Sequence, residues 1–430
     1  MDGRPSPPRR GRLMTVNRNG PLSGTRIIDF TWAWAGPYGA SLLAWLGADV
    51  IKVESSTRLD ASRERSLTVG AFQGGFDQMP MFNELNLGKR SLALNLKTPQ
   101  AKQIVKQLAA VSDAVVDNFR PGTLDRLGLG YDILNAERPN IVMVSASALG
   151  ATGPERGYAG YAPIFAALAG LAHLSGYADG PPALMGGNID LRAGTVTALT
   201  LLLALYHRDR TGIGQFVDVS ARDAVAMHIG ETFLEVAMHG RDPQRRGNEH
   251  PAFAPHDVYR CAPAPPSQDS GKPVSEWVAI ACRSDDDWDA LIRATGLDEL
   301  RSDPRFRTGL RRWKQRAQLN PIIESWTGRR SAQEAARVLL AAGVPAAPSQ
   351  HGAQLYRDPH FLARGNAVTI KPPMMEERAV IASPMRMSRT PAAITKPAPL
   401  LGEDSSDVLS DLLGYDEAQI DALRAAGVLE

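Results

Sequence analysis

Short apolar runs of strand length alternate with longer amphipathic stretches through the first 150 residues. The runs are continuous and rich in Val and Ile, as in strands that are buried on both faces of a sheet. They predict strands at 25–31, 48–54, 114–119 and 140–147, with helices at 40–46, 99–112 and 123–137. Strands that alternate with helices in this way predict an α/β fold with a parallel, doubly wound sheet.

The pattern changes near residue 230. A polar segment rich in Pro and Gly runs from 240 to 272, and a strand at 277–282 and helices at 285–295, 313–326 and 331–342 follow it. We therefore predict four parts. They are a flexible tail at 1–20, a large α/β domain at 21–229, a smaller α+β domain at 230–347, and a C-terminal segment at 348–430 that returns to the large domain with helices at 405–413 and 416–426.

Composition narrows the possible partners. Forty-eight basic residues against 46 acidic ones give a net charge of +2, and the basic residues are scattered, which argues against a nucleic-acid partner. Cys261, Cys282 and the eight histidines do not have the spacing of metal ligands, so no metal is expected. No window looks apolar enough to cross a bilayer, and the basic stretch at 1–20 has no apolar signal region. We expect a cytoplasmic protein that is not bound to a membrane.

The turn after the first predicted strand excludes the most common ligand of such a sheet. It reads TWAWAGP, with one glycine where the dinucleotide-binding fingerprint GxGxxG needs three, and no phosphate-binding GxxxxGK[ST] sequence occurs elsewhere. The sheet is therefore expected to hold a different ligand.

Asp190 stands in the predicted loop GGNIDLR, directly before an apolar stretch at 195–206 that predicts a buried helix. A carboxylate in that position can cap the helix, and by local sequence alone the cap is the better interpretation. It can also be a nucleophile at the edge of a pocket. Local sequence leaves both roles open.

Several long motifs, in order, resemble the family III CoA-transferases, the group that contains formyl-CoA transferase and carnitine CoA-transferase. They are PLSGTRIIDFTWAWAGPYGASLLAWLGADVIKVE, NLGKRSLALNLKTPQAK, DNFRPGTLDRLGLGYD, GYADGPPALMGGNIDLRAG and HRDRTGIGQFVDVSARDA. The resemblance extends over about 21–430, and the wording of the TWAWAGP turn is nearest to the benzylsuccinate-type members.

The resemblance implies an acyl-CoA:carboxylate CoA-transferase that folds as an interlocked homodimer. Coenzyme A would enter as an acyl-CoA substrate, and a carboxylic acid would receive it. The family's nucleophilic aspartate falls at Asp190, which implies covalent catalysis through an aspartyl anhydride and an aspartyl-CoA thioester.

The resemblance also places the CoA-binding residues. Trp34 and Ala35 match positions beside the pantetheine and the thioester, and the nucleotide end falls on Lys97, Asn118, Phe119 and Arg126. Arg58 is expected to compensate for Ser55, which replaces a basic residue of other members. Formyl-CoA transferase has a glutamine at the position of Trp34, so the indole and the apolar segment at 161–174 favour a bulky or aromatic acyl group.

Gly247 and Asn248 lie in RGNEHP at 246–251, where formyl-CoA transferase has a glycine-rich loop. This segment is expected to be a lid or substrate-specificity loop, and an interdomain linker is an equal alternative.

Two other functions stay open. A related racemase would need an aspartate and a histidine facing one carbon, and Tyr161 stands here at the position of that histidine, beside the substrate. The chain could also be the non-catalytic subunit of a two-subunit transferase, although such a subunit would have no need of Asp190.

Overall fold

The structure is a computed structural model, and it describes residues 19–64, 74–184, 186–266 and 273–430. The predicted tail at 1–20 lies almost wholly outside the described residues. The chain divides into two compact units. The large unit comprises 1–172, 184–242 and 360–430, and the small unit comprises 173–183 and 243–359. The sequence placed the domain boundaries at 229/230 and 347/348 instead.

Six parallel strands form the sheet of the large unit, which confirms the predicted doubly wound fold. The strands are β1 (Arg26–Asp29), β2 (Asp49–Glu54), β3 (Arg90–Ala93), β4 (Ala114–Asp117), β5 (Val142–Ser147) and β6 (Phe216–Ser220). Their order across the sheet is β3-β2-β1-β4-β5-β6, and every neighbouring pair is parallel. The pattern did not predict β3 and β6, the two edge strands, because both are short and carry polar residues.

The helices up to residue 239 differ from the prediction in several places. They are α1 (Ala35–Trp45), α2 (Ala61–Glu64), α3 (Pro80–Leu85), α4 (Pro99–Ala110), α5 (Thr123–Leu127), α6 (Tyr131–Glu137), α7 (Ala162–Leu168), α8 (Leu171–Leu174), α9 (Gly186–Thr211), α10 (Ala221–Ala226) and α11 (Gly230–His239). Short 3-10 helices add Phe76–Gln78 and Met227–Ile229. The helix predicted at 40–46, with Pro37 in its first turn, runs from Ala35 to Trp45. The helix predicted over 123–137 is two helices, because Gly128 takes a left-handed conformation (φ 73°) that ends the first.

Hydrophobic cores cover both faces of this sheet. Alternate side chains of one strand point to opposite faces, so Ile28 packs in one core with Ile104 of α4, whereas Ile27 packs in the other with Leu43 of α1. Burial on both faces explains why the strands read as continuous apolar runs.

Helix α9 corrects the expectation that no segment is apolar enough for a membrane. By length and composition alone, Gly187–Thr211 would suffice to cross one. One face of this helix is buried in the core of the large unit, through Ala198, Leu201, Ala204 and Leu205. A core helix of this kind passes the same test of length and composition.

The small unit is built on a three-stranded antiparallel sheet with order β11-β10-β7. The strands of this sheet are β7 (His256–Arg260), β10 (Trp277–Ala281) and β11 (Ala346–Pro348). The small unit also contains a separate pair of short strands, β8 (Ala264–Pro266) and β9 (Pro273–Val274). Its helices are α12 (Asp285–Thr295), α13 (Glu299–Ser302), α14 (Gly309–Lys314), α15 (Arg316–Thr327), α16 (Ala332–Ala341) and α17 (Gly352–Leu355). The helical stretch predicted over 313–326 is helical except at Gln315, where one helix has ended at Lys314 and the next begins at Arg316.

The chain then completes the large unit. It forms α18 (Pro359–Ala363), the antiparallel pair β12 (Ala367–Ile370) and β13 (Arg378–Ile381), α19 (Ser405–Leu413) and α20 (Glu417–Ala425). Val408 and Leu409 of α19 are fully buried in the core that contains Ile28, and a carboxylate oxygen of Asp404 accepts a hydrogen bond from Ser91 N of β3 at 2.8 Å.

Candidate active site

A cavity of about 880 Å³ runs along the carboxyl ends of the strands of the large unit. The residues that follow all six strands contribute to its wall: 32–35 after β1, Ser55 after β2, 95–97 after β3, 118–121 after β4, Ala148 after β5 and Ala221 after β6. Open α/β sheets bind their ligands in this crevice, at the point where the strand order reverses. Here that point lies between β1 and β4, which are neighbours in the sheet.

The turn after β1 forms one wall of the cavity, and neighbouring side chains fix its backbone. Asn118 accepts a hydrogen bond from Trp32 N at 2.7 Å and donates one to Trp32 O at 2.8 Å. Ala33 has a left-handed backbone (φ 66°), and its N–H donates to Asp60 Oδ1 at 2.9 Å. The predicted ligand residue Asn118 therefore acts on the cavity through the backbone of Trp32.

Buried charges lie behind this turn. Lys52 and Asp60 form an ion pair at 2.9 Å, with both side chains fully buried. Burial alone would lower the pKa of Lys52 and raise that of Asp60. For Lys52 the combined attraction of Asp60, Asp29 and Glu54 outweighs burial, so its pKa is raised. For Asp60 the attraction of Lys52 and the hydrogen bonds from Ser62 and Ala33 together outweigh burial, so its pKa is lowered. Burial lowers the pKa of Lys89 to about 8, against the attraction of Asp29 at 2.7 Å.

Asp190 lies inside α9, as its fifth residue, and both the predicted loop and the N-cap role are wrong. Helix α9 begins at Gly186, nine residues before the predicted start at 195, because the polar segment GGNID continues the helical backbone. Ile189 and Ala193 on either side of Asp190 are buried in the protein, and Asp190 lines the cavity. Gly186 and Gly187 gave the sequence its appearance of a loop.

The electrostatic setting of Asp190 is opposite to that of Asp60. Burial raises the pKa of Asp190 to about 6. Within the described chain, no hydrogen bond or ion pair reaches its carboxylate. A carboxylate without such partners retains its lone pairs for chemistry.

Glycines bring the β1 turn and the start of α9 together. A Cβ on Gly187 would lie 2.5 Å from Cζ2 of Trp34, and a Cβ on Gly194 would lie 2.3 Å from Ala35 O. Any side chain at these two positions would therefore force the elements apart. This contact places the indole of Trp34 beside the turn of helix that precedes Asp190.

The other end of the cavity carries positive charge and aromatic surface. The ring of Phe119 meets that of Trp32 edge to face at 5.6 Å, and the guanidinium of Arg58 lies over Trp32 at 5.0 Å. Lys97 and Arg126, both exposed, line the same cavity. Arg120 also lines it, although it was not among the residues predicted from the sequence. Its position directly after Phe119, at the end of β4, was the available signal. Cations beside aromatic rings suit phosphates and a purine.

The structure brings together some of the predicted residues and separates others. Trp34, Ala35, Lys97, Asn118, Phe119, Arg126, Tyr161 and Asp190 all line the cavity. Gly247 and Asn248 do not, since they belong to the small unit. There Asn248 Nδ2 donates to the hydroxyl of Tyr177 at 2.8 Å, and Gly247 (φ 60°) packs on the same ring.

No group of three metal-binding side chains comes together in the described parts of the chain. Among those parts, the cavity offers a carboxylate, an aromatic and cationic end, and a turn of fixed backbone.

These features define an α/β protein with a crevice that is aromatic and cationic at one end and that holds a half-buried carboxylate. The family model of CoA-transferase family III matches residues 22–405, and the chain belongs to that family. It is a CoA-transferase, and enzymes of this class use CoA thioesters as substrates.

Relatives and a solved structure agree with this assignment. The chain is 33% identical to succinyl-CoA–D-citramalate CoA-transferase of Chloroflexus aurantiacus, over 95% of this chain and 98% of that one. It is also 33% identical to the beta subunit of succinyl-CoA–L-malate CoA-transferase of the same organism, again over 95% and 98%. The crystal structure of a CAIB/BAIF family protein from Brucella suis superposes with a TM-score of 0.81 at 30% identity, covering 92% of this chain and all of that one.

Proposed function

We propose that this enzyme transfers CoA from succinyl-CoA to a short dicarboxylic acid, with Asp190 as the covalent nucleophile. The observation that carries the role of Asp190 is a half-buried carboxylate in the cavity whose oxygens have no partner in the described chain. The donor is proposed from the relatives, which are named for succinyl-CoA and for the acids D-citramalate and L-malate.

The proposed chemistry conserves the thioester energy. A carboxylate oxygen of Asp190 attacks the carbonyl carbon of succinyl-CoA. The C–S bond breaks with its electrons on sulfur, which leaves an anhydride and CoA thiolate. The thiolate attacks the aspartyl carbonyl, releases succinate and forms an aspartyl-CoA thioester. The acceptor carboxylate then attacks that thioester to give a second anhydride, from which the thiolate takes the acceptor's acyl group and regenerates Asp190.

The raised pKa of Asp190 suits this role. With a pKa of about 6, roughly nine molecules in ten carry the ionised nucleophile at pH 7. The carboxylate is at the same time more basic than an ordinary aspartate, and no cation or donor in the described chain competes for its lone pairs. Both properties favour attack on a carbonyl carbon.

The nucleotide of CoA is proposed to lie at the Phe119 and Arg126 end of the cavity, with the thioester near Trp34 and Ala35. Lys97, Arg58 and Arg120 would meet the phosphates there. Trp34 was expected to favour a bulky or aromatic acyl group, whereas the relatives favour short dicarboxylates. A panel of acceptor acids, from malate to benzylsuccinate, decides between these two substrate classes.

Trapping of the covalent intermediate tests the role of Asp190. The parent and the Asp190→Ala variant would be incubated with succinyl-CoA in D2O and trapped with hydroxylamine or borohydride. The mass of the intact protein would then be measured, and deuterium incorporation at the acyl α-carbon would be followed in parallel. We expect an adduct at Asp190 in the parent, none in the variant, and transfer slower by roughly 10⁴-fold. Asp209→Ala, on the exposed far end of the same helix, is the matched control. Deuterium uptake without an adduct would instead establish a racemase.

We also propose a homodimer. Helix α9 exposes Leu199, Leu203 and Tyr206, and α11 exposes Phe233, Leu234 and Met238. Apolar helix faces of this kind are typical of subunit interfaces. Light scattering and a transfer assay on the purified chain alone test it. A dimer with activity is expected, whereas an inactive chain that gains activity only with a second, related chain would establish the two-subunit alternative, since one relative is a beta subunit.

A further inference from the structure

The turn at Thr31, Trp32 and Ala33 is bound by side chains at nearly every backbone polar group. Thr31 N donates to Asp29 Oδ1 at 2.7 Å, and Thr31 O accepts from Lys52 Nζ at 2.5 Å. Asn118 holds both the N–H and the carbonyl of Trp32, and Asp60 accepts from the N–H of Ala33. Side chains from distant parts of the chain, Lys52, Asp60 and Asn118, therefore specify this backbone.

Ala33 needs such support. Among the described residues it is the one non-glycine residue with a positive φ, at 66°. The left-handed conformation is unfavourable for an alanine because its Cβ comes too close to the following carbonyl oxygen, and strained residues of this kind persist only where neighbouring groups hold them. Left to itself, the chain at Ala33 would relax to a negative φ and move the residues on either side.

Lys52 and Asp60 hold the two ends of the strained segment. Lys52 Nζ binds the carbonyl before Trp32, and Asp60 Oδ1 binds the N–H after it. The same Asp60 oxygen accepts from Ser62 N at 2.9 Å and from its hydroxyl at 2.8 Å, so α2 fixes the carboxylate. The two charged side chains pair with each other at 2.9 Å.

Stability alone gives a poor account of this pair. Both side chains are fully buried, and neither is among the residues that line the cavity. A buried ion pair loses about as much in desolvation as it gains in attraction, so its best-attested benefit is a single, specified conformation. The conformation that this pair specifies is the wall of the cavity formed by Trp32, Ala33, Trp34 and Ala35.

We propose that Lys52 and Asp60 are positioning residues for CoA transfer. They hold Ala33 in its left-handed conformation, and this sets Trp34 against Gly187, one helical turn before Asp190, and Trp32 against Phe119 at the cationic end. The inference rests on the proposed function, in which this wall receives the CoA thioester. Neither residue touches the substrate, and both act through the turn.

A double-mutant cycle between Asp60 and Ala33 tests the inference. Glycine populates positive φ about as readily as negative φ, so a turn with Ala33→Gly needs less support. We expect Asp60→Ala to lower kcat/KM for succinyl-CoA roughly 100-fold. In the Ala33→Gly background, the same change should cost about tenfold or less. A purely structural role would lower the active fraction equally in both backgrounds.

Further variants keep the test decisive if Asp60→Ala does not fold. Asp60→Asn preserves the shape and an oxygen for the N–H of Ala33, and should retain more activity than Asp60→Ala. It supports the same cycle, with an expected loss of roughly tenfold. Asp49→Asn is the matched control. It removes an ion-paired carboxylate at the opposite end of β2, and the folded variant should keep the parent's kcat/KM.

Two measurements on the parent distinguish failure of the positioning role from failure of the proposed function. Calorimetric titration with CoA and the transfer assay are run on the parent first. A parent that neither binds CoA nor forms the Asp190 adduct overturns both. A parent that does both, while folded Asp60 variants match it or lose equal activity with and without the Ala33→Gly change, overturns the positioning role alone.

Discussion

Asp60 and Asp190 both lie near the turn that follows β1, but the surroundings of their carboxylates in the large unit are opposite. Asp60 is ion-paired with Lys52 and accepts three hydrogen bonds, and its pKa is lowered. Asp190 is left without such partners by the described chain, and burial raises its pKa to about 6. A carboxylate that is ion-paired and accepts several hydrogen bonds builds structure, whereas one that is desolvated and has no such partner is available for reaction.

The largest expected effect is a difference in the free energy of unfolding between variants of the two carboxylates. Asp60→Ala leaves Lys52 buried without its ion-pair partner and should lower the free energy of unfolding by roughly 3–5 kcal/mol. Asp190→Ala removes no bond seen in the described chain and also removes a desolvated charge, so it should not lower the free energy of unfolding by more than about 1 kcal/mol. Urea unfolding at pH 7.5 measures both. Equal losses would remove the distinction between the two sites.

The next effect is on the pH dependence of the rate. Protonated Asp190 cannot attack, so kcat/KM should fall about tenfold per pH unit below a pKa of about 6. Burial also raises the pKa of Asp117 to about 6, so Asp117→Asn serves as the control. This variant should retain the same fall of kcat/KM at low pH, the acid limb of the profile. A limb near pH 4, the ordinary range of aspartate, would show that Asp190 is not desolvated in solution.

A smaller effect concerns stability at Asp190. Its pKa is higher folded than unfolded, so the folded state binds the proton more tightly, and stability falls as pH rises from about 3.8 to about 6. Asp190→Asn removes this penalty. We expect a gain of about 1–3 kcal/mol above pH 6 that disappears near pH 4.

Urea unfolding of Asp190→Asn across pH 4–7.5 measures this gain. The exposed Asp286→Asn is the control, with a change of less than about 0.5 kcal/mol at any pH. A loss of stability in Asp190→Asn at pH 7.5 would mean that the ionised carboxylate has a partner in solution.

The smallest expected effect tests the contact between the turn after β1 and the start of α9. Gly187→Ala would place a methyl group 2.5 Å from the Trp34 ring. Displacement of the indole should change the near-UV circular dichroism and raise KM. The free energy of unfolding should change by less than about 1 kcal/mol, because alanine favours the helix. Gly240→Ala, which meets no atom within 4 Å but has a positive φ, separates backbone strain from displacement of Trp34.

The alternation of strands and helices could be predicted because it follows from burial on both faces of a parallel sheet. The helices at 285–295 and 405–413 were predicted to the residue, since Ser284 caps the first and Gly414 ends the second. Asp190 and most of the predicted ligand residues came from resemblance to a family, not from local pattern. The edge strands β3 and β6 are too short and contain too many polar residues to be predicted from runs of apolar residues.

The sequence by itself determined the fold class, the family and the position of Asp190, because periodicity and long ordered motifs are local properties of the chain. Only the tertiary structure decided that Asp190 lies within a helix and is desolvated, and that Lys52 and Asp60 hold the strained turn at Ala33. Those properties depend on which atoms meet across distant segments: Gly187 against Trp34, and Asp60 against Ala33. Close packing and burial set them, and neither can be read from spacing along the chain.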